Sequence, residues 1–208
     1  MSFARRERLA LVAALAEAGA DAPTLCGEWK GRDLAAHLVI RERRPDASAG
    51  ILIKQLAGYT DRVQKGAAER PWAELLEQVR TGPPIWSPLR PFDAMANTSE
   101  MFIHHEDVRR AAPDWEPRTL DPADEKKLWD VLRRMAKMNY RGVPVGVVLE
   151  SLTGDRVVAK KADGKGQVVL KGAPSELLLH AFGRNEVRIE HVGDPKDIEA
   201  LHNSDRSV

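Results

Sequence analysis

The chain has one cysteine, Cys26, in 208 residues. That excludes an intrachain disulfide framework and every cysteine-rich zinc site, and it suits a reducing cytoplasm. An excess of charge of either sign is also missing: 32 Lys and Arg face 31 Asp and Glu, for a net charge of +1. There is no basic surplus to hold nucleic acid and no long acidic tail. No apolar run reaches the roughly 18 residues that a membrane span needs. The opening segment MSFARRERLALVAALAEAG fails as a signal peptide, because Glu17 interrupts it and it reads as an amphipathic helix. GxGxxG, P-loop and GxSxG patterns are lacking in any credible context, and Gly164 and Gly166 belong to a turn.

What is present is an ordinary globular composition, 43% hydrophobic and 30% charged. Its length suits one large domain, or a moderate one with a small companion. Residues 3–19 read as a helix, broken by Gly19, Asp21 and Pro23. Residues 31–43 read as a second, with Asp33 in its first turn and Pro45 ending it. Residues 46–68 suggest one helix or two short ones, and Pro71 opens another through about Val79. The connector TGPPIWSPLRP, 81–91, cannot be a regular helix. Helices at 92–112 and 121–138 follow, the latter with Leu128, Val131, Leu132, Met135 and Met138 at core spacing.

The pattern changes after Gly142. Residues 143–149 are β-branched, and 156–160 with 167–171 alternate as a hairpin would, joined by KADGKG. Ala173–Phe182 reads as a helix with Gly183 at its end, Val187–Glu190 as a last strand, and the tail from Pro195 as loose. The expected division is therefore a helical domain over 1–142, a small α+β domain over 143–195 and a polar tail over 196–208.

The helix at 92–112 carries the chemistry. At about 100° per residue, Asn97, Glu100, His104 and Asp107 form one stripe in the middle of its apolar sector. Ser99, Glu106, Arg109 and Arg110 fall on the opposite face, and Phe102 points outward, suggesting a contact with the small domain or a partner. Burying a carboxylate beside an imidazole is costly unless compensated, and a divalent metal compensates both. Residues at i and i+4 lie about 5–6 Å apart at Cβ, which lets Glu100 and His104 reach one cation. A solvated pair or a buried hydrogen-bond network is the alternative reading. His37 lies inward between Leu34 and Ile40, with Arg41 one turn later. A core histidine is its plain reading; with Glu100 and His104 it would complete a His–Glu–His set with an open position, the pattern of a catalytic zinc site. His105 points about 100° away from His104, so His104 is the expected ligand. His180 reads as solvent-facing. Cys26 reads as a small apolar residue, or one that approaches the metal.

The motif W-x3-D-x3-H, here Trp29, Asp33 and His37, resembles the entry motif of the mycothiol-dependent maleylpyruvate isomerase N-terminal domain. That domain belongs to the DinB-like superfamily of metal-binding four-helix bundles. E-x3-H-x2-D, here Glu100, His104 and Asp107, resembles its second metal motif, and GAPSELLLHAFGR at 172–184 resembles a helix of the small domain that follows. The resemblance implies an α+β protein: a DinB-like four-helix bundle, then a small α+β domain of sterol-carrier-protein type. It implies His37, Glu100 and His104 as ligands of Zn²⁺, or of another divalent metal such as Ni²⁺. It further implies a low-molecular-weight thiol, mycothiol in actinobacteria, as cosubstrate of a cytoplasmic thiol transferase or isomerase acting on a small electrophile. Asp107, Arg41 and Arg184 are the candidate catalytic residues, and Arg41 with Asn97 the candidate contacts for thiol or substrate. A metal-dependent hydrolase and a non-catalytic metal-binding protein are the alternatives. The expected partners are small molecules, with no nucleic acid or membrane, on a monomer or homodimer. The C-terminal domain is short, which separates the chain from the isomerase more than the metal motif does.

Overall fold

A computed structural model describes residues 1–47, 55, 57–84, 93–204 and 206. They divide into two compact units, Met1–Trp115 and Glu116–Val208. The architecture is α+β: helices throughout, with a four-stranded mixed sheet in the C-terminal part.

The first unit contains α1 (Phe3–Ala18), α2 (Gly31–Arg43), α3 (Ala57–Ala68), α4 (Trp72–Thr81) and α5 (Asp93–Arg109). Local chemistry sets the ends. The Ser2 hydroxyl accepts from the Arg5 amide at 3.3 Å and opens α1. Gly19 closes it at φ +93°, where only glycine sits without strain. The Asp33 carboxylate accepts from the Lys30 amide at 3.0 Å and fixes the start of α2. At Gly31 a Cβ would lie 2.8 Å from the Gly19 carbonyl oxygen, so the end of α1 and the start of α2 meet through a glycine.

The core of this unit joins Leu11 and Leu15 of α1, Leu34 and Leu38 of α2, Leu75 and Val79 of α4, and Met101 and Val108 of α5. Each row repeats at four or seven residues, as an inward helical face must. At one edge of this core Arg8 and Glu42 form a buried ion pair, and Arg8 also donates to the Val79 carbonyl at 2.8 Å. Residues 48–54 and 85–92, within the unclear segment and the Pro-rich connector, lie outside the described residues.

The second unit contains α6 (Pro122–Asn139), β1 (Gly146–Ser151), β2 (Arg156–Lys160), β3 (Gln167–Gly172), α7 (Pro174–Ala181), β4 (Glu190–Val192) and α8 (Pro195–His202). The boundary near residue 142 was drawn where β-branched residues begin. The compact units instead divide at Trp115, because α6 packs against α7 and β2. An amphipathic pattern announces an apolar face without naming what covers it.

The strand order is β2-β1-β3-β4, with β1 antiparallel to β2 and parallel to β3. Residues 156–160 and 167–172 are strands as expected, but they do not pair as a hairpin; β1 lies between them. β1 is buried along nearly its whole length, as a central strand must be, and the tight connection runs from β1 to β2 through Gly154. The last strand begins at Glu190, later than expected. Residues 195–202 are helical rather than loose: the Asp194 side chain accepts from the Lys196 amide at 3.0 Å, and Leu201 is buried. Arg206 is also buried, donating to the carbonyls of His180 and Leu201 at 3.2 and 2.9 Å.

Two further side chains differ from expectation. Met138, placed in the core by spacing, is exposed. His180 is buried, and its Nδ1 lies 2.8 Å from the Tyr140 hydroxyl. The apolar run around His180 made it read as the polar face of its helix, but α7 is covered on every side. Among the described residues, no helix is long and apolar enough to cross a membrane.

Candidate metal centre

His37 and Arg41 come from α2, one turn apart; Asn97, Glu100, His104 and Asp107 come from α5, at spacings of three and four. His37, His104 and Arg41 meet around one atom, Glu100 Oε1. It lies 3.4 Å from His37 Nε2, 3.2 Å from His104 Nε2 and 3.4 Å from Arg41 Nε. The two imidazole rings stand edge to face at 5.6 Å between centroids, and the Trp29 indole lies 5.1 Å from the His37 ring.

These spacings suit a shared cation. Ligand bonds of about 2.0–2.2 Å in a tetrahedral site place donor atoms about 3.3–3.6 Å apart, close to the 3.2 and 3.4 Å found here. A direct N–H···O bond prefers about 2.9–3.0 Å. His37, Glu100 and His104 are also one of two groups, among the described residues, whose donor atoms lie close enough together to hold a metal. The chemistry of the set, two imidazole nitrogens and one carboxylate oxygen, fits a divalent ion of zinc type.

The second group is Cys26, His104 and Asp107. His104 Nδ1 lies 2.9 Å from Asp107 Oδ2, and the Cys26 thiol donates to the same oxygen at 3.0 Å. Asp107 is fully buried. A carboxylate that accepts the Nδ1 proton turns Nε2 toward Glu100 and His37, the arrangement that metal-bound histidines adopt. Cys26 arrives because the amide of Leu25 donates to the Asp107 carbonyl at 3.0 Å, tying the loop before α2 to α5. Sequence reasoning set Cys26 mainly in an apolar role; a loop residue has no helical phase to reveal its direction.

Electrostatics follow from burial and these contacts. Burial pushes the His37 imidazole below its ordinary value, helped by the charges of His104 and Arg41 and opposed by the bond to Glu100. Burial works to raise the Glu100 carboxyl, but the bonds from His104 and His37 and the Arg41 charge outweigh it and hold it well below the usual range. His104 goes the other way. Burial would lower it, yet its bonds to Asp107, Cys26 and Glu100 carry it well above the ordinary imidazole value. Without a metal, the cluster therefore keeps an anionic carboxylate between a neutral His37 imidazole and a protonated His104.

Of the other expected residues, Arg41 Nη1 donates to Asn97 Oδ1 at 2.8 Å, so Asn97 orients the guanidinium that faces Glu100. Asp107 bonds to His104 and Cys26. His105 turns away as expected, with Nδ1 2.9 Å from Glu7 Oε2. Arg184 lies in the second unit, where its guanidinium donates to the Phe182 carbonyl at 2.6 Å.

The opposite face of α5 is largely buried as well. Ser99, Glu106 and Arg110 are each at most 6% exposed. Glu106 pairs with Arg110 at 2.6 Å and Arg109 at 3.0 Å, and Arg110 lies over the Trp115 ring. Phe102 is not outward either; it is buried beside Phe3, with centroids 6.2 Å apart.

Residues 3–81 match the family model of the mycothiol maleylpyruvate isomerase N-terminal domain. The match includes Trp29, Asp33 and His37; Glu100, His104 and the second unit lie beyond it. No curated protein matches the chain, and no solved structure does.

Proposed function

We propose that the protein binds a divalent metal of zinc type through His37, Glu100 and His104 and uses it in transfer or isomerisation chemistry that depends on a small thiol of mycothiol type; the match of residues 3–81 to the mycothiol maleylpyruvate isomerase N-terminal domain supports this reading. The spacing of His37 Nε2 and His104 Nε2 about Glu100 Oε1, 3.4 and 3.2 Å, carries the reading. A metal held there would supply Lewis acidity, lowering the pKa of a thiol bound to it. The chain's own residues do the rest. Asp107 holds the Nδ1 proton of His104 and so keeps Nε2 aimed at the centre. Arg41, braced by Asn97, presents a partly exposed guanidinium beside Glu100, suited to a carboxylate of the thiol or of the electrophile. Asp107 and Asn97 are positioning residues in this scheme, and Arg41 is the substrate contact.

Metal content tests the first half. Protein purified without a histidine tag is expected to hold about one equivalent of a divalent metal by plasma mass spectrometry, lost in both His37→Ala and His104→Ala. No metal in the parent after reconstitution would end the proposal. Thiol dependence tests the second half: turnover of activated electrophiles should require added thiol. Turnover without any thiol would instead assign the centre to hydrolysis by activated water.

A further inference from the structure

The C-terminal part of α2 packs beside α3 and α4 and leaves a cleft of about 420 Å³. None of the proposed metal donors lines it. Its apolar wall comes from Val39, Ile40, Val63 and Ala67, three of them nearly inaccessible to solvent. Arg43, Arg44 and Arg70 also line it, with Gln78. A volume of this order suits a small organic molecule.

The three guanidinium groups are not equally engaged. Arg44 is neutralised by Asp46, with two bonds of 2.9 and 2.7 Å. Arg43 and Arg70 make no ion pair among the described residues. Arg43 donates through Nη2 to Thr81 Oγ1 at 2.7 Å and to the Gly82 carbonyl at 2.9 Å, while its buried Nε has no hydrogen-bond partner. Among the described residues, the Arg70 guanidinium donates to the amide oxygen of Gln78 alone, at 3.1 Å. Arg43 and Arg70 thus bring to the cleft wall two guanidinium charges that no carboxylate among the described residues pairs, and an anionic group in the cleft would answer them.

Gly66 is a separate pointer. It lies inside α3, where glycine weakens a helix. A Cβ built there meets nothing within 4 Å, so packing against protein does not require the absence of a side chain. The absence keeps one wall of the cleft open.

We propose that this cleft is a second ligand site, taking a small molecule that joins an anionic head to an apolar body. Arg43 and Arg70 hold the head, and Val39, Ile40, Val63 and Ala67 cover the body. The site does not depend on the metal centre, so the two readings stand or fall separately.

Fluorescence titration of the full chain with anilinonaphthalene sulfonate tests it, with neutral N-phenylnaphthylamine as the same apolar body without the anion. Saturable binding of one sulfonate per chain is expected, with the neutral probe at least about tenfold weaker, the factor that one charge-assisted contact confers. Gly66→Leu fills the cleft and improves the helix; it should abolish binding while helical circular dichroism and the thermal midpoint hold. The double variant Arg43→Gln, Arg70→Gln should bring sulfonate binding down to the neutral level. His104→Ala should leave sulfonate binding unchanged. Absence of saturable binding, equal binding of both probes, or full binding by a folded Gly66→Leu would each overturn the proposal; if the double variant fails to fold, Gly66→Leu decides.

Discussion

Asp107→Asn isolates the part of the centre that touches no ligand. The Asp107 carboxylate is fully buried and can only accept, so both His104 Nδ1 and Cys26 Sγ present protons to Oδ2, at 2.9 and 3.0 Å. That keeps the Nδ1 proton of His104 in place, so that a metal would displace the Nε2 proton and bind there. An asparagine of the same shape keeps one oxygen but adds two N–H donors. Turned one way, its amide N–H seeks the Nδ1 lone pair and moves the imidazole proton to Nε2, against the metal. Turned the other way, it keeps the tautomer but loses the negative charge that strengthens the ligand. Either outcome weakens metal binding by about 10–100-fold, or about 1.4–2.7 kcal/mol.

Competition against a chromophoric chelator at neutral pH measures that loss directly. A second readout comes from linkage. Free metal at a hundred times the parent's dissociation constant stabilises the parent by about 2.7 kcal/mol, but a variant binding a hundredfold more weakly by only about 0.4 kcal/mol. Urea unfolding without metal separates this from any intrinsic destabilisation. Cys26→Ser, which still donates to Asp107, should bind within about twofold of the parent, since the carboxylate that orients His104 is kept. An Asp107→Asn protein with parental metal affinity would refute the orienting role, whatever its stability.

Glu42→Ala leaves the Arg8 guanidinium buried beside the Val79 carbonyl with its charge uncompensated; it should cost about 3–5 kcal/mol in urea unfolding, and Arg8→Met with Glu42→Leu should recover most of that. A loss below about 1 kcal/mol would show the pair to be no more than an exposed contact. Burial, with Arg206 and neighbouring histidines, holds His180 well below the ordinary imidazole value. The unfolded chain therefore binds the proton first, and stability should fall as pH drops below about 6.5, by up to about 1.4 kcal/mol per pH unit until the folded value is reached. His180→Leu should flatten that slope, and an unchanged acid limb would sink the assignment. Gly31→Ala forces a Cβ toward the Gly19 carbonyl oxygen, 2.8 Å away; a loss of about 1–3 kcal/mol is expected, and a variant melting at the parental temperature would mean that the helix ends give way freely.

The inward donors were legible because helices impose phase. A period of 3.6 puts Asn97, Glu100, His104 and Asp107 on one line, and the same period turns His37 inward and His105 aside. Strand positions were legible from alternation. Partners were not. The alternation at 156–160 and 167–172 carries no record of the strand lying between them, and the apolar face of α6 does not say that α7 and β2 will cover it. Cys26 stayed open between an apolar role and an approach to the metal, because its place depends on one backbone bond, from Leu25 to Asp107, which no side-chain pattern encodes.

The wheel erred most on the second face of α5, and the error separates two kinds of buried polarity. Glu106, Arg109 and Arg110 are charged at three- and four-residue spacing, which reads as a solvated face, yet the group is almost wholly inaccessible at Glu106 and Arg110. Its charges are answered internally at 2.6 and 3.0 Å, ordinary ion-pair distances, with an indole covering Arg110. The cluster around Glu100 is built otherwise. Its imidazole contacts are longer, 3.2 and 3.4 Å, and Glu100 keeps 23% of its side-chain surface open. A network that serves packing alone would close to hydrogen-bond length and exclude solvent, as Glu106 and Arg110 do on the same helix. Longer contacts and partial accessibility are what the proposed metal reading requires of His37, Glu100 and His104, and the tight, closed pairs of Glu106 do not offer them.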